Sequence, residues 1–387
     1  MIKRVPAFAA LALALAATLA VAGCASSSSS SAGSGTSAVS AANQAAMQNP
    51  NLDLGSSLDG MKAPDIKLVN QFGQPMSLSQ FRGRVVILAF SDSECTTVCP
   101  LTTQSMVMAK ELLGKAGDSV QLLGVDANPT ATKVSDVMAY SRAHAMVNQW
   151  DFLTGSDAQL KAVWKSYNIQ VAIESGQIDH TPALYVINSR GTLEKLYLTA
   201  MAYSSVTQSA QVLATEVASL LPSHPKLSSI ESLATISAQG PATTVTLPQA
   251  SMVGEKGKDP HTVTLGPGKP RLVVFFATWL TETSDLSAEL AQLSTYAKAE
   301  DAKHLPALTA VDETVTEPSA AAVNDYLATL GPLGYQVALD KTGRVADGYG
   351  VQDQPWLVLV NAAGKVTWSH DGWVPLAALE KAAAAHP

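Results

Sequence analysis

Cysteine is scarce in this chain, with three in 387 residues. So few thiols cannot frame a disulfide-stapled scaffold, and the fold must rest on apolar cores. Hydrophobic residues make up 47% of the chain, enough for two such cores at this length. Basic residues are also short. Lys and Arg number 25 against 32 Asp and Glu, a formal net charge of −7, which excludes the positive footprint of a nucleic-acid binder. The N-terminal apolar run, Ala7 to Ala22, falls short of the roughly 20 residues that a membrane-spanning helix needs.

That short run has a different use. Lys3 and Arg4 precede it as a positive n-region, and it ends in Val21-Ala22-Gly23-Cys24. The ending resembles the lipobox of bacterial lipoproteins, cut just before a cysteine. Residues 1–23 are then a signal peptide and Cys24 the lipid attachment point. The expected location is the outer face of a bacterial cytoplasmic membrane, where oxidised cysteines persist. Residues 24–53 are mostly Ser, Ala and Gly and read as a flexible tether.

From Leu54 the pattern becomes that of an α/β layer fold. Apolar runs predict strands at Val85–Phe90, Val120–Val125, Ala183–Asn188 and Leu193–Leu198. Helical spacing predicts helices from Pro100 to about Gly114, over Lys133–Ala145, over Ala158–Tyr167 and over Ser205–Leu221. Residues 54–222 form one domain on this reading, 223–240 a linker and 241–387 a second domain. The second echoes the first. RVVILAF is matched by RLVVFFA, GVDANPT by AVDETVT, and HTPALYVINSRGTLEKLY by DQPWLVLVNAAGKVTWSH, in the same order. One fold is present twice.

With Cys24 set aside, Cys95 and Cys99 remain, in FSDSECTTVCPLTT. The first lies in the loop leaving a strand and the second at the mouth of a helix, where free N–H groups and the helix dipole favour a thiolate. Two thiols so placed suit a disulfide, a redox pair or a soft metal such as Cu(I). Downstream, His180 stands immediately before Thr181-Pro182 and a strand. If that strand lies beside Val85–Phe90, His180 faces the cysteine loop. Two sulfurs and an imidazole suit Cu(I), or Zn(II) with a fourth ligand. Asp179 either orients the imidazole or is a solvated loop carboxylate.

Met106 and Met108 are candidate thioether donors, although residues two apart do not share a helix face. Asp92, Glu94 and Asp126 read as solvated rather than as a cation-attracting fringe. Trp150 and Trp164 read as packing residues. His144, His224, His261, His304, His370 and His386 read as surface or loop histidines.

FSDSECTTVCPLTT, GVDANPT and IDHTPALYVI, in this order, resemble the Sco/SenC family of copper proteins. The resemblance covers roughly Leu54 to Leu221. It implies a thioredoxin fold with Cys95 and Cys99 as thiolate ligands, His180 as imidazole ligand and copper as the metal. It also implies a role in assembling the CuA centre of cytochrome oxidase. The implied partner is the CuA-bearing subunit or another copper or thiol protein. Here Asp92 and Ser93 stand where the family often has an aromatic and Thr, and Thr96 where it has Pro. The second domain resembles the TlpA/ResA branch of thioredoxin-like proteins, with Leu280 and Thr283 at the cysteine positions and Gln354-Pro355 at the cis-proline position, so it is expected to be redox-inactive. Rescue by Asp312, Asp340 or His370 has no motif behind it. Three alternatives remain beside the copper chaperone. One is a thiol–disulfide oxidoreductase using the same cysteines. A peroxidase lacks its PxxxTxxC pattern before Cys95. In the last, the second domain captures a partner.

Overall fold

The computed structural model describes residues 52–174, 177–199, 202–227, 243–248, 261–282 and 284–386. The expected signal peptide, Cys24, most of the tether and most of the linker lie outside them, as does Thr283. No helix among the described residues is long and apolar enough to cross a membrane.

Two large sheets organise the chain. The first takes in β1 (Ser56–Lys62), β4 (Val85–Ser91), β5 (Val120–Asp126), β6 (Trp150–Leu153), β9 (Ala183–Ile187) and β10 (Thr192–Leu198). A small hairpin of β2 (Lys67–Val69) and β3 (Pro75–Ser77) precedes β4. A second hairpin, β7 (Val171–Glu174) and β8 (Gln177–His180), precedes β9. The strand order is β1-β10-β9-β4-β5-β6. β4, β5 and β6 run parallel, β9 lies antiparallel to β4 with Ala89 opposite Leu184, and β10 turns back on β9. VVILAFS of β4 is buried at every residue because helices cover both faces of the sheet, hence its unbroken apolar run.

One face carries Val85, Ile87 and Ala89 against α1 (Val98–Leu112), α2 (Val134–Ala143) and α4 (Val206–Leu220). The other carries Val86, Leu88 and Phe90 against α3 (Asp157–Ser166) and Ile66 and Leu68 of the lead-in. Three parallel strands continued by an antiparallel pair, with helices on both faces, is the thioredoxin-like arrangement.

The second sheet repeats it. β13 (Arg271–Phe276), β14 (Ala307–Asp312) and β15 (Gln336–Leu339) are parallel, and β16 (Trp356–Val360) and β17 (Val366–Asp371) follow antiparallel beyond β13. β11 (Thr243–Thr246) and β12 (Thr262–Leu265) extend the far edge. The quoted sequence echoes map strand on strand, β4 on β13, β5 on β14 and β9 on β16. Leu272, Val274 and Phe276 pack under α5 (Leu286–Lys303), α6 (Ala320–Leu330) and α8 (Leu376–Ala385). Val273 and Phe275, on the opposite face, pack with Val345, Ala346 and Tyr349 of α7 (Arg344–Tyr349). Leu101, Tyr203 and Val206 of the first domain complete that cover.

The two domains therefore share a core cluster. At its edge the Asp347 carboxylate accepts hydrogen bonds from the Tyr203 and Ser204 N–H groups, at 2.8 and 2.9 Å. Gly343, at φ +70°, lets Tyr203 approach so closely that an added Cβ would stand 2.5 Å from its backbone carbon.

Helix and strand bounds fall within one or two residues of the sequence reading. β6 and the β7–β8 hairpin were not expected. Each strand is only four residues long, too short for a periodic signal. His180 consequently ends a strand instead of sitting in an open loop.

Candidate metal and thiol site

The site sits at the carboxyl end of β4. The chain leaves Ser91, makes a short loop through Asp92–Thr97, and enters α1 at Val98. Asp92 ties the loop down. Its backbone carbonyl accepts from the Cys95 N–H at 3.2 Å, and its side chain accepts from the Glu94 N–H at 2.8 Å. Asn128, just after β5, donates its carboxamide N–H groups to Asp92 at 2.7 Å and to Glu94 at 3.1 Å. Asp126 is fully buried and accepts the Asn128 N–H at 3.0 Å, and burial pushes its carboxyl well above the usual carboxylate range. Asp92 and Asp126 are thus structural buried groups, correcting their reading as solvated. Asn128 was missed, although it lies within the GVDANPT block.

Cys95 and Cys99 are free thiols, Cys95 half-buried and Cys99 only 2% exposed. The Cys95 thiol is drawn below its ordinary value, first by hydrogen bonding with the Cys99 thiol. The Thr97 hydroxyl at 3.4 Å and the Cys99 N–H at 3.4 Å also lower it. Cys99 is pushed well above its ordinary value, chiefly by burial and then by Cys95. The helix N-terminus therefore favours a thiolate at Cys95, through the Cys99 N–H. At Cys99 itself burial wins over the expected benefit.

β9 lies beside β4, as expected, and brings His180 to the loop. Its Nε2 stands 3.9 Å from Cys99 Sγ. The Nδ1 atom is 3.1 Å from the Thr181 carbonyl oxygen, which can only accept, so Nδ1 carries the proton and the Nε2 lone pair is left toward Cys99. Burial lowers the His180 pKa and keeps the ring neutral at neutral pH. Asp179 is exposed, and it is the Thr181 carbonyl that orients the ring.

The donor set is soft and suits Cu(I). With metal–sulfur bonds of about 2.3 Å and metal–nitrogen bonds of about 2.0 Å, two donors on one ion stand roughly 3.5–4.3 Å apart. The 3.9 Å between Cys99 and His180 lies in that range. No group of three His, Cys, Asp or Glu among the described residues already surrounds a single cation position. Cys95 lies beside this pair, hydrogen-bonded to the Cys99 thiol and accepting the Cys99 N–H at 3.4 Å. Met106 is fully buried in the core and Met108 packs against it.

Residues 59–215 match the SCO1/SenC family model. The segment contains Cys95, Cys99, His180 and every strand of the first sheet apart from the first three residues of β1. The SCO1 protein homolog of Bacillus subtilis is 26% identical over 133 residues, spanning 33% of this chain and 69% of that protein. The structure of Bradyrhizobium japonicum ScoI with copper bound aligns at 17% identity and a TM-score of 0.36, covering 42% of this chain and 99% of that one. BsSco, described as a member of the Sco family of cytochrome c oxidase assembly proteins, aligns at 24% identity and a TM-score of 0.35. That alignment covers 43% of this chain and 96% of BsSco.

The second domain lies outside the Sco-like segment. Its Trp279 and Leu280 are buried, with the Trp279 indole N–H donating to the Thr316 hydroxyl at 3.2 Å. Asp312 and Asp340 are buried and Asp340 accepts from the Val345 and Ala346 N–H groups, a structural use, while His370 is exposed. Among the described residues the one cis peptide bond is Gln354–Pro355; Thr181–Pro182 is trans. His144 corrects another reading. It is 4% exposed, with its ring 4.3 Å from Tyr140 and 5.0 Å from Trp279 of the second domain.

Proposed function

We propose that this chain is a copper-binding protein of Sco type, with copper as its cargo and Cys95, Cys99 and His180 as the ligands. The observation that carries the reading is a neutral imidazole whose free Nε2 lies 3.9 Å from the Cys99 sulfur, beside a second thiol already biased toward thiolate. The cargo leaves by ligand exchange, as thiolates of a partner replace Cys95 and Cys99. The partner on this reading is the CuA-bearing subunit of cytochrome c oxidase, as the Sco/SenC resemblance of FSDSECTTVCPLTT, GVDANPT and IDHTPALYVI implies. The lipobox-like Val21–Cys24 supports attachment through a lipid on Cys24, at the outer face of a bacterial cytoplasmic membrane.

The test is anaerobic titration with Cu(I). The reduced chain should take up one copper through this site, and the chain with Cys95 and Cys99 oxidised to a disulfide none there. Binding requires both thiols deprotonated, and Cys99 holds its proton well above the ordinary thiol range. Affinity should therefore rise with pH through neutrality as that proton becomes easier to displace. His180, with its lowered pKa, adds no proton release there. An affinity independent of both pH and oxidation state contradicts the reading.

A second reading has its own observation, the unequal pair of a lowered Cys95 and a raised Cys99. Cys95 thiolate attacks a partner disulfide and expels one partner thiolate. Cys99, once deprotonated, attacks the mixed disulfide and releases the partner as a dithiol, while Cys95 and Cys99 end as a disulfide. Partner reduction at an unchanged rate in His180→Ala favours this reading.

A further inference from the structure

In the sequence echo, His180-Thr181-Pro182 of the first domain corresponds to Asp353-Gln354-Pro355 of the second. The structure turns both segments toward the same place. His180 reaches Cys99 from within its own domain. Asp353 reaches across the domain boundary, and its Oδ1 accepts a hydrogen bond from the Thr96 hydroxyl at 2.7 Å. Thr96 is the residue directly after Cys95. The same Asp353 oxygen accepts the Gln354 N–H at 2.6 Å, which fixes the carboxylate on its own loop.

Other bonds brace this contact. The Gln104 carboxamide on α1 donates to the Glu317 carbonyl at 3.0 Å, and Asp347 holds the Tyr203–Ser204 backbone at the start of α4. Leu101, two residues beyond Cys99, is buried in the cluster shared with Val273 and Phe275. The cysteine loop and the helix it opens are thus gripped on one side by a domain that lacks thiols at its own corresponding site.

We propose that Asp353 is a positioning residue for the thiol loop, and that the second domain acts through it as a clamp on Thr96 that restrains Cys95 from reacting with groups outside the chain. A partner thiol then meets Cys95 in a loop whose freedom is set by the second domain. The clamp works on the loop itself, whether the thiols carry copper or form a disulfide.

The experiment is peptide-resolved alkylation of the reduced, copper-free full chain with iodoacetamide, reading Cys95 and Cys99 separately. Asp353→Ala and Thr96→Val should each raise the Cys95 rate by roughly tenfold, the scale of one lost hydrogen bond to a charged group. The double variant should add nothing further, since both changes remove the same bond. Asp353→Asn, which keeps an acceptor oxygen, and Thr96→Ser, which keeps the hydroxyl, should restore the slow rate. Cys99 should stay unreactive throughout. Three results overturn the clamp: Cys95 rates within about twofold of wild type, additive effects in the double variant, or equal labelling of Cys99, which marks unfolding. Because no metal is present, failure of the copper reading leaves this result standing, and the reverse also holds.

Discussion

Changing His180 to alanine should lower the Cu(I) affinity of the reduced protein by more than about a hundredfold, because even outer-shell changes cost roughly 10–100-fold. The imidazole is the one nitrogen donor beside the two sulfurs. Its tautomer is set by the Thr181 carbonyl, so the lone pair is directed before any metal arrives. Changing Cys95 to serine should have an effect at least as large, since a hydroxyl is a poor ligand for a soft ion. Neither change touches the sheet. His180 ends the small β7–β8 hairpin, and Cys95, half-buried in the loop after β4, packs at the edge of one core cluster, where serine is nearly the same size. The variants should therefore melt close to wild type in the copper-free state, as checked by denaturant unfolding followed by circular dichroism. Unchanged Cu(I) affinity in both variants rules out the proposed ligand set.

The second large effect concerns acid stability. His144 is buried between Tyr140 and Trp279, its Nδ1 finds no hydrogen-bond partner among the described residues, and burial lowers its pKa to about 3. An unfolded histidine titrates near 6.5. The folded value is depressed, so below about pH 6.5 the unfolded chain binds a proton that the folded chain refuses. The contribution of neutral His144 is complete above that pH and is lost as the pH falls toward about 3. At roughly 1.4 kcal/mol per pH unit, the loss reaches about 3 kcal/mol near pH 4. Buried carboxyls such as Asp126 and Asp312, whose folded pKa values are raised, act in the opposite sense. The informative quantity is therefore the difference between wild type and His144→Phe, which keeps a ring against Tyr140 and Trp279 but cannot titrate. The variant should gain about 3 kcal/mol on wild type between pH 7 and pH 4. Parallel stability profiles contradict a buried neutral His144.

The strands central to both sheets were legible because they are covered on two faces. VVILAF and LVVFF carry no polar residue, and an apolar run of five or six residues between turn signals has few other uses. The pairing of β9 with β4 is one that the α/β pattern allows, and the structure makes it, which places His180 near Cys99. What stayed hidden depends on contacts distant in sequence. Nothing near His144 marks it as buried, because its cover includes Trp279, which lies in the other domain. The Thr96–Asp353 bond joins residues 257 positions apart, and neither residue type announces a partner. Both thiols lie in the loop that opens α1. Burial raises Cys99, and hydrogen bonding, first with the Cys99 thiol, lowers Cys95.

In the second domain the strand order β17-β16-β13-β14-β15 matches β10-β9-β4-β5-β6 of the first, and Leu280 fills part of its core. Burial of Leu280 and Trp279 supports the sheet and needs no thiol, so the core constrains these positions to be apolar without constraining them to be reactive.

The central claim is that Cys95, Cys99 and His180 hold one copper ion together. X-ray absorption at the copper edge, on the reduced full chain loaded with one equivalent of Cu(I), tests it most directly. Each copper should show two sulfur neighbours and one nitrogen neighbour, with the nitrogen lost in His180→Ala. A shell of sulfur alone, or one unchanged by that substitution, contradicts it.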